Sequence, residues 1–110
     1  MNYHLTLEQA AAQLGKETDQ VFTILLRHGT LQIEYFAPKG LDRQSPHLQD
    51  ELYIITSGES RFFHNGEYVS CKPNDILFVP AGMDHRFEDF TDDFATWVIF
   101  YGPNGGETAD

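Results

Sequence analysis

Two histidines and one carboxylate are the residues of this chain best suited to chemistry. His47 and Glu51 stand four apart in the segment Pro46-His47-Leu48-Gln49-Asp50-Glu51-Leu52-Tyr53. If a strand already runs from His47, then positions 47, 49, 51, 53 and 55 share one face. His47 and Glu51 would then point the same way as Tyr53 and Ile55. A carboxylate on such a face is costly unless it is paired, hydrogen-bonded or bound to a metal. His85 emerges from a sharp Pro80-Ala81-Gly82 turn at the start of another strand, with Phe87 on its own face. Two imidazoles, one carboxylate and open positions suit non-haem Fe(II), and also Mn, Ni or Zn. Glu51 could double as a base, and Tyr53 or Tyr101 could donate a hydrogen bond. Plainer roles exist for each group. His47 could be a loop histidine, Glu51 could pair with Arg43, and His85 could bond to Asp89.

The elements that must position these groups are mostly strands. Thr6 to Leu14 reads as the one helix, with Thr6 and Gln9 at capping-box spacing and Gly15 as its stop. Short β runs follow between turn residues. They cover 21–27, 31–37, 51–56, 60–64, 67–71, 76–79, 85–90 and 94–101. Asn65-Gly66 is the strongest hairpin signal. In the second run Leu31, Ile33 and Tyr35 alternate with Gln32 and Glu34, the pattern of a strand with one wet face. About eight strands at this rhythm favour a sandwich, barrel or jelly roll over an α/β fold. The expected organisation is a helical segment over 1–19, a barrel over 20–102 and a loose tail over 103–110.

At this point the sequence resembles the cupin superfamily. Its first motif is approximately G-x5-H-x-H-x3,4-E-x6-G, and Glu51, six residues and Gly58 match the second half, with His47 at the second histidine. Its second motif is approximately G-x5-P-x-G-x2-H-x3-N, and Asn74, Pro80, Gly82, His85 and Asp89 keep its spacing. The resemblance implies an all-β double-stranded β-helix with a divalent metal at the barrel centre, held by His47, Glu51 and His85. The motif's first histidine falls on Ser45, a poor ligand. Gln44 and Gln49 lie close by, and Gln44 is the candidate fourth ligand, since some sugar-phosphate isomerases of the superfamily use a glutamine. Asn74 replaces a turn glycine, a substitution its tolerance of positive φ allows. The implied activity is oxygenation or isomerisation of a small organic molecule, with Glu51 and Tyr53 as catalytic candidates. The alternatives are a ligand sensor or a metal-free scaffold. Cupins commonly pair through edge strands, so a homodimer is expected.

Composition narrows the partners. Seventeen acidic and seven basic residues give a formal charge of −10, which repels phosphate backbones and anionic lipid, so neither nucleic acid nor membrane is an expected partner. The N-terminus lacks the basic start and apolar run of a signal peptide, and the single cysteine, Cys71, suits a reducing compartment. A cytoplasmic location is expected. His4, His28 and His64 read as surface residues, as does Asp50. Cys71 reads as a half-buried, unreactive thiol. Arg61 and Arg86 are the candidates for holding an anionic substrate.

Overall fold

In the computed structural model, which describes residues 2–108, the chain forms one helix and eight strands. Helix α1 (Leu7–Gly15) starts at Thr6, whose side chain accepts from the Gln9 backbone while Gln9 reaches back to the Thr6 backbone. Both halves of the capping box are therefore made. The strands are β1 (Phe22–His28), β2 (Leu31–Phe36), β3 (Asp50–Ser57), β4 (Ser60–His64), β5 (Glu67–Cys71), β6 (Ile76–Val79), β7 (His85–Glu88) and β8 (Ala95–Tyr101). They build a five-stranded sheet in the order β1-β2-β8-β3-β6 and a three-stranded sheet in the order β5-β4-β7. All pairs are antiparallel. This is the jelly roll expected from the sequence. No described helix is long and apolar enough to cross a membrane.

The core sits between the sheets. Tyr53 and Ile55 of β3, Val98 and Phe100 of β8, and Phe36 of β2 come from one side. Phe62 of β4 and Phe87 of β7 meet them from the other, joined by Phe94. The aromatic rings meet edge-on or tilted, Tyr53 with Phe87 at 4.9 Å and Phe87 with Phe94 at 4.8 Å between centroids. Such contacts add specific geometry to area burial.

Turn residues set where the strands reverse. Asn65 and Gly66 have φ of 47° and 86°, the doubly positive turn an Asn-Gly hairpin favours. Asn74 takes φ 76° in place of the motif glycine. Its amide bonds to the Ile55 carbonyl at 2.9 Å, tying the turn before β6 to the middle of β3.

Several expectations are corrected. The polar side of β2 lies on the inner face of the sheet, half-buried in a cavity, and not on the outer surface. Gln32 pairs in register with Phe100, and Glu34 with Val98, so both look into the space between the sheets. Leu31, Ile33 and Tyr35 take the outer face instead, where Tyr35 meets Trp97 edge-on at 5.8 Å. Helix α1 also packs on the outside of this sheet, with Gln13 Nε2 donating to Thr23 Oγ1 at 2.6 Å and to the Ile24 carbonyl at 2.8 Å. The sheet's outer side is thus partly covered, which lets it carry apolar residues. Asp50 is buried, not a surface residue. Its Oδ1 accepts from the Ala81 amide at 2.9 Å and its Oδ2 from the Glu107 amide at 2.8 Å. Glu107 and the Gly105 amide, which bonds to the Leu48 carbonyl at 2.7 Å, pin most of the segment read as a loose tail. Its last two residues lie outside the described range.

Gly58 adopts φ 72°, and a Cβ there would meet the Phe94 backbone at 2.6–2.7 Å. Gly58→Ala is expected to cost about 2–4 kcal/mol, through backbone strain and displacement of Phe94 from the core. Urea unfolding checks this, and a loss below about 1 kcal/mol would contradict it.

Candidate metal centre

The register of β3 sends Glu51 inward one residue after Asp50 turns outward. Glu51 sits opposite Phe100 on one side and Val79 on the other, and its side chain has no solvent exposure. Neither carboxylate oxygen makes a hydrogen bond. His85 Nε2 lies 2.9 Å from Glu51 Oε1, and His47 Nε2 lies 3.8 Å from it. The first of these is an ion-pair contact without hydrogen-bond alignment. A buried carboxylate with no donor is costly, and native interiors rarely leave one so.

Each imidazole arrives by a different route. His85 opens β7 after the Pro80–Gly82 turn, and its Nδ1 bonds to the Met83 carbonyl at 2.9 Å. That bond fixes the ring so that Nε2 faces Glu51 and the Tyr53 hydroxyl, 3.1 Å away. His47 precedes β3, which begins only at Asp50, so the expected shared strand face does not extend back to it. The loop places it instead. The His47 carbonyl accepts from the Gly82 amide at 2.8 Å, so the two histidine-bearing segments are tied directly. The His47 ring packs edge-on against Phe100 at 4.9 Å.

The three ligand atoms lie within 4.8 Å of one another. Bonds of about 2.0–2.2 Å at tetrahedral or octahedral angles put neighbouring ligand atoms about 2.8–3.6 Å apart. The 2.9 Å separation falls within that range and the 3.8 Å separation lies just beyond it. Two imidazoles and a carboxylate are also the donor set a divalent transition metal prefers. The residues therefore fit an ion, and the unpartnered Glu51 carboxylate is the observation that tests the fit.

The surrounding groups orient this set. Gln44 Oε1 lies 3.3 Å from His47 Nε2 and accepts from the Tyr53 hydroxyl at 2.9 Å. Its amide nitrogen donates to Asp42 Oδ2 at 2.8 Å, which turns the carbonyl oxygen inward. Asp42 is buried and also accepts from the Gln44 and Phe87 amides, at 3.1 and 2.8 Å. Sequence reasoning did not single out Asp42. It sits in a polar loop, and no spacing ties it to the motif. Ser45, where the motif's first histidine would fall, is exposed.

Charge balance follows from burial. The Tyr53 phenol is held well above its ordinary value by burial and then by the Glu51 charge, so it stays a donor. Burial lowers the His47 pKa. Burial would lower that of His85 too, but the Glu51 carboxylate and the Met83 carbonyl outweigh it and leave His85 raised.

Other candidates lie elsewhere. Gln49 spends its amide nitrogen on the Thr30 and Gly102 carbonyls, at 2.9 Å each. Glu51 does not pair with Arg43, and Asp89 pairs with Arg61 at 2.9 Å rather than with His85. Arg86 pairs with Glu88 at 2.6 Å. Tyr101 pairs in register with Asp50, one residue out of phase with the site. His64 is half-buried, not a surface residue. It lies opposite His85 and stacks on Phe62 at 5.7 Å. Cys71 is buried rather than half-buried, and burial and Asp75 push its thiol up to about 11. It is therefore a poor nucleophile at neutral pH, as expected from the sequence.

A family model, described as the AraC-like ligand binding domain, matches residues 40–103, the stretch that carries Asp42, Gln44, His47, Glu51, Tyr53 and His85. The chain belongs to this family of cupins. The cupin is 29% identical over 87 residues to an uncharacterized protein of Streptomyces coelicolor, covering 77% of this chain and 83% of that one. It is 30% identical over 108 residues to an acireductone dioxygenase of Hahella chejuensis, covering 94% of this chain and 57% of that one. The cupin thus spans a little over half the length of that enzyme. Its fold matches a cupin superfamily protein of Desulfitobacterium hafniense with a TM-score of 0.62 at 24% identity, over 76% of this chain and 79% of the other.

Glu51→Met replaces the unpartnered carboxylate with an apolar side chain of similar length. In chelator it is expected to stabilise the cupin by about 1–3 kcal/mol, because a buried charge without donors is removed. Urea unfolding in EDTA reads the change. Destabilisation would mean that the carboxylate is satisfied without a cation.

Proposed function

We propose that this cupin holds one divalent metal ion, Fe, Mn, Ni or Zn, between His47, Glu51 and His85, and acts there on a small organic molecule by oxygenation or isomerisation. The unpartnered Glu51 carboxylate between two imidazoles carries this reading. A cavity of about 910 Å³, lined by His47, Gln44, Phe100 and Val98 among others, offers the substrate a place beside it. The similarity to an acireductone dioxygenase leans toward oxygenation. When bound, such an ion supplies Lewis acidity or one-electron exchange at open positions. The protein's own groups do the rest. Gln44 Oε1 stands where a fourth ligand could approach, held by Asp42. Tyr53 keeps its proton and donates it in a hydrogen bond to Gln44 Oε1, which helps hold that oxygen beside His47. Glu51 can take a proton from a bound substrate when its hold on the ion loosens.

The second reading is a ligand-binding sensor without turnover. The family description favours it. Ligand-dependent thermal stabilisation with no product formed would decide for it. A homodimer through the free edge of β6 accompanies either reading. There Ile76 and Phe78 are 65% and 53% exposed, and pairing β6 with β6 of a second copy would cover them. Light scattering is expected to give twice the chain mass, and Phe78→Asp is expected to shift it toward the monomer.

Metal titration by calorimetry, with mass spectrometry for stoichiometry, tests the main reading. About one ion per chain is expected. His85→Ala is expected to weaken binding at least 100-fold, and Asp42→Asn about 10–100-fold through the loosened Gln44 and Phe87 contacts. Content well below stoichiometry after reconstitution would sink the reading. Protons compete for the same lone pairs, so affinity should fall as pH drops. Because His85 is raised, that fall should begin above the ordinary histidine value of about 6.5. An affinity flat from pH 8 to 6 would contradict it.

A further inference from the structure

Gln32 and Glu34 are polar side chains on the inner face of a sheet whose other inner residues are mostly apolar. The register fixes where they stand. Across β8, Gln32 opposes Phe100, which opposes Glu51. In the next row Glu34 opposes Val98, which opposes Tyr53. Two strand spacings of about 4.8 Å separate each pair of rows' ends, so the polar pair lies about 10 Å from the metal centre, backbone to backbone. Val98 and Phe100, both buried, form the apolar floor between. Gln32, Glu34, Val98, Phe100, Gln44 and His47 all line the one cavity of about 910 Å³.

The pair is oriented as well as placed. Arg27 Nε donates to Gln32 Oε1 at 3.1 Å, which turns the Gln32 amide nitrogen toward Glu34 Oε2, 2.6 Å away. Among the described residues, Glu34 Oε1 has no hydrogen-bond partner and Glu34 has no salt bridge. Burial raises the Glu34 pKa and the Glu51 charge adds to this, while the Gln32 bond and the Arg27 charge lower it, and the balance leaves it raised. The fold gains little from holding a carboxylate there. A ligand that brings a donor would use its free oxygen and offset the cost of its burial.

We infer that Gln32 and Glu34 form a second polar pole of the cavity, which binds the donor-bearing tail, best a primary ammonium, of a small molecule whose oxygen-rich head sits at the His47–Glu51–His85 cluster. This rests on the metal reading above for the head but not for the tail. Side chains reach inward from both ends. A metal–oxygen bond takes about 2 Å and a hydrogen bond about 2.8 Å, so a head-to-tail length of about 5–7 Å fits, four or five bonds. The substrate class is then a short, amphoteric chain with a chelating acid or keto-acid head and an amine or hydroxyl tail. Val98 and Phe100 pack its apolar middle.

The test uses two hydroxamates that differ only at the tail. Co(II)-loaded full-length protein is titrated with butyrohydroxamate and with 4-aminobutyrohydroxamate, and binding is read from the cobalt visible spectrum. The amine is expected to bind about tenfold more tightly, the gain of one charge-assisted hydrogen bond. Glu34→Gln should reduce that preference to less than twofold while cobalt content stays at one per chain. Glu34→Asp, which keeps the charge, should retain part of it and serves as the folding control. Equal affinity of the two probes for the native protein, or a preference that survives in Glu34→Gln, overturns the inference. If cobalt does not bind at all, the metal reading fails on its own. The pole is then read by thermal shift with butylammonium. Stabilisation lost in Glu34→Gln supports it, and no stabilisation of the native protein overturns it.

Discussion

The arrangement turns on one costly feature, a fully buried carboxylate that meets two imidazoles but makes no aligned hydrogen bond. Glu51 lies between Phe100 and Val79 in the sheet register, with solvent excluded and both oxygens free of hydrogen bonds. A fold can hold such a charge only if the rest of the core over-determines it. Here it does. Tyr53 and Ile55 continue the inner face of β3, Phe62 and Phe87 pack across from it, and Phe100 stands beside it in the neighbouring strand. The apolar packing that makes the charge expensive also makes its position definite. An ion arriving there would meet ligands that need little rearrangement, which is where a preorganised site draws its affinity.

The groups around Glu51 form two shells with a clear division of labour. His47, His85 and the Gln44 carbonyl oxygen face inward. Asp42, Met83 and Gly82 hold those three by one hydrogen bond each. Asp42 reaches further, because it also accepts from the Phe87 amide on β7. A single carboxylate therefore links the loop that carries Gln44 to the strand that begins with His85. Movement of that loop, which forms much of the cavity wall, would be felt at the ligands. This is a physical route by which an occupant of the cavity and an ion at the cluster could influence one another.

Much of this was legible in the sequence because it is written in local spacing. The capping box at Thr6, the Asn65-Gly66 hairpin and the Pro80-Ala81-Gly82 turn are each specified by a few adjacent residues, and each stands where the sequence placed it. The convergence of His47, Glu51 and His85 was legible from two spaced motifs, although His47 gets there from a loop and not along β3. What was not legible depended on which side of a sheet faces inward. Gln32 and Glu34 alternate with apolar residues, and alternation alone cannot say which face is wet. The apolar set went outward because α1 and Trp97 cover part of that side. Asp42 and Asp50 were missed for a related reason. A lone acidic residue looks the same in sequence whether it meets water or two backbone amides.

Asp50 and Glu51 are neighbours with opposite assignments, and this guards the sheet against misalignment. Sliding β3 by one residue would exchange them, as every such slip swaps the two faces of a strand. The amides of Ala81 and Glu107 would lose their acceptor, and a shorter carboxylate would replace Glu51 at the histidines. Hydrophobic residues on both faces of β3, Leu52 and Ile54 on one and Tyr53 and Ile55 on the other, would tolerate such a slide. The pair of acids does not. Two adjacent negative charges, one answered by the backbone and one left open, give this strand a polarity check that its greasy residues cannot supply.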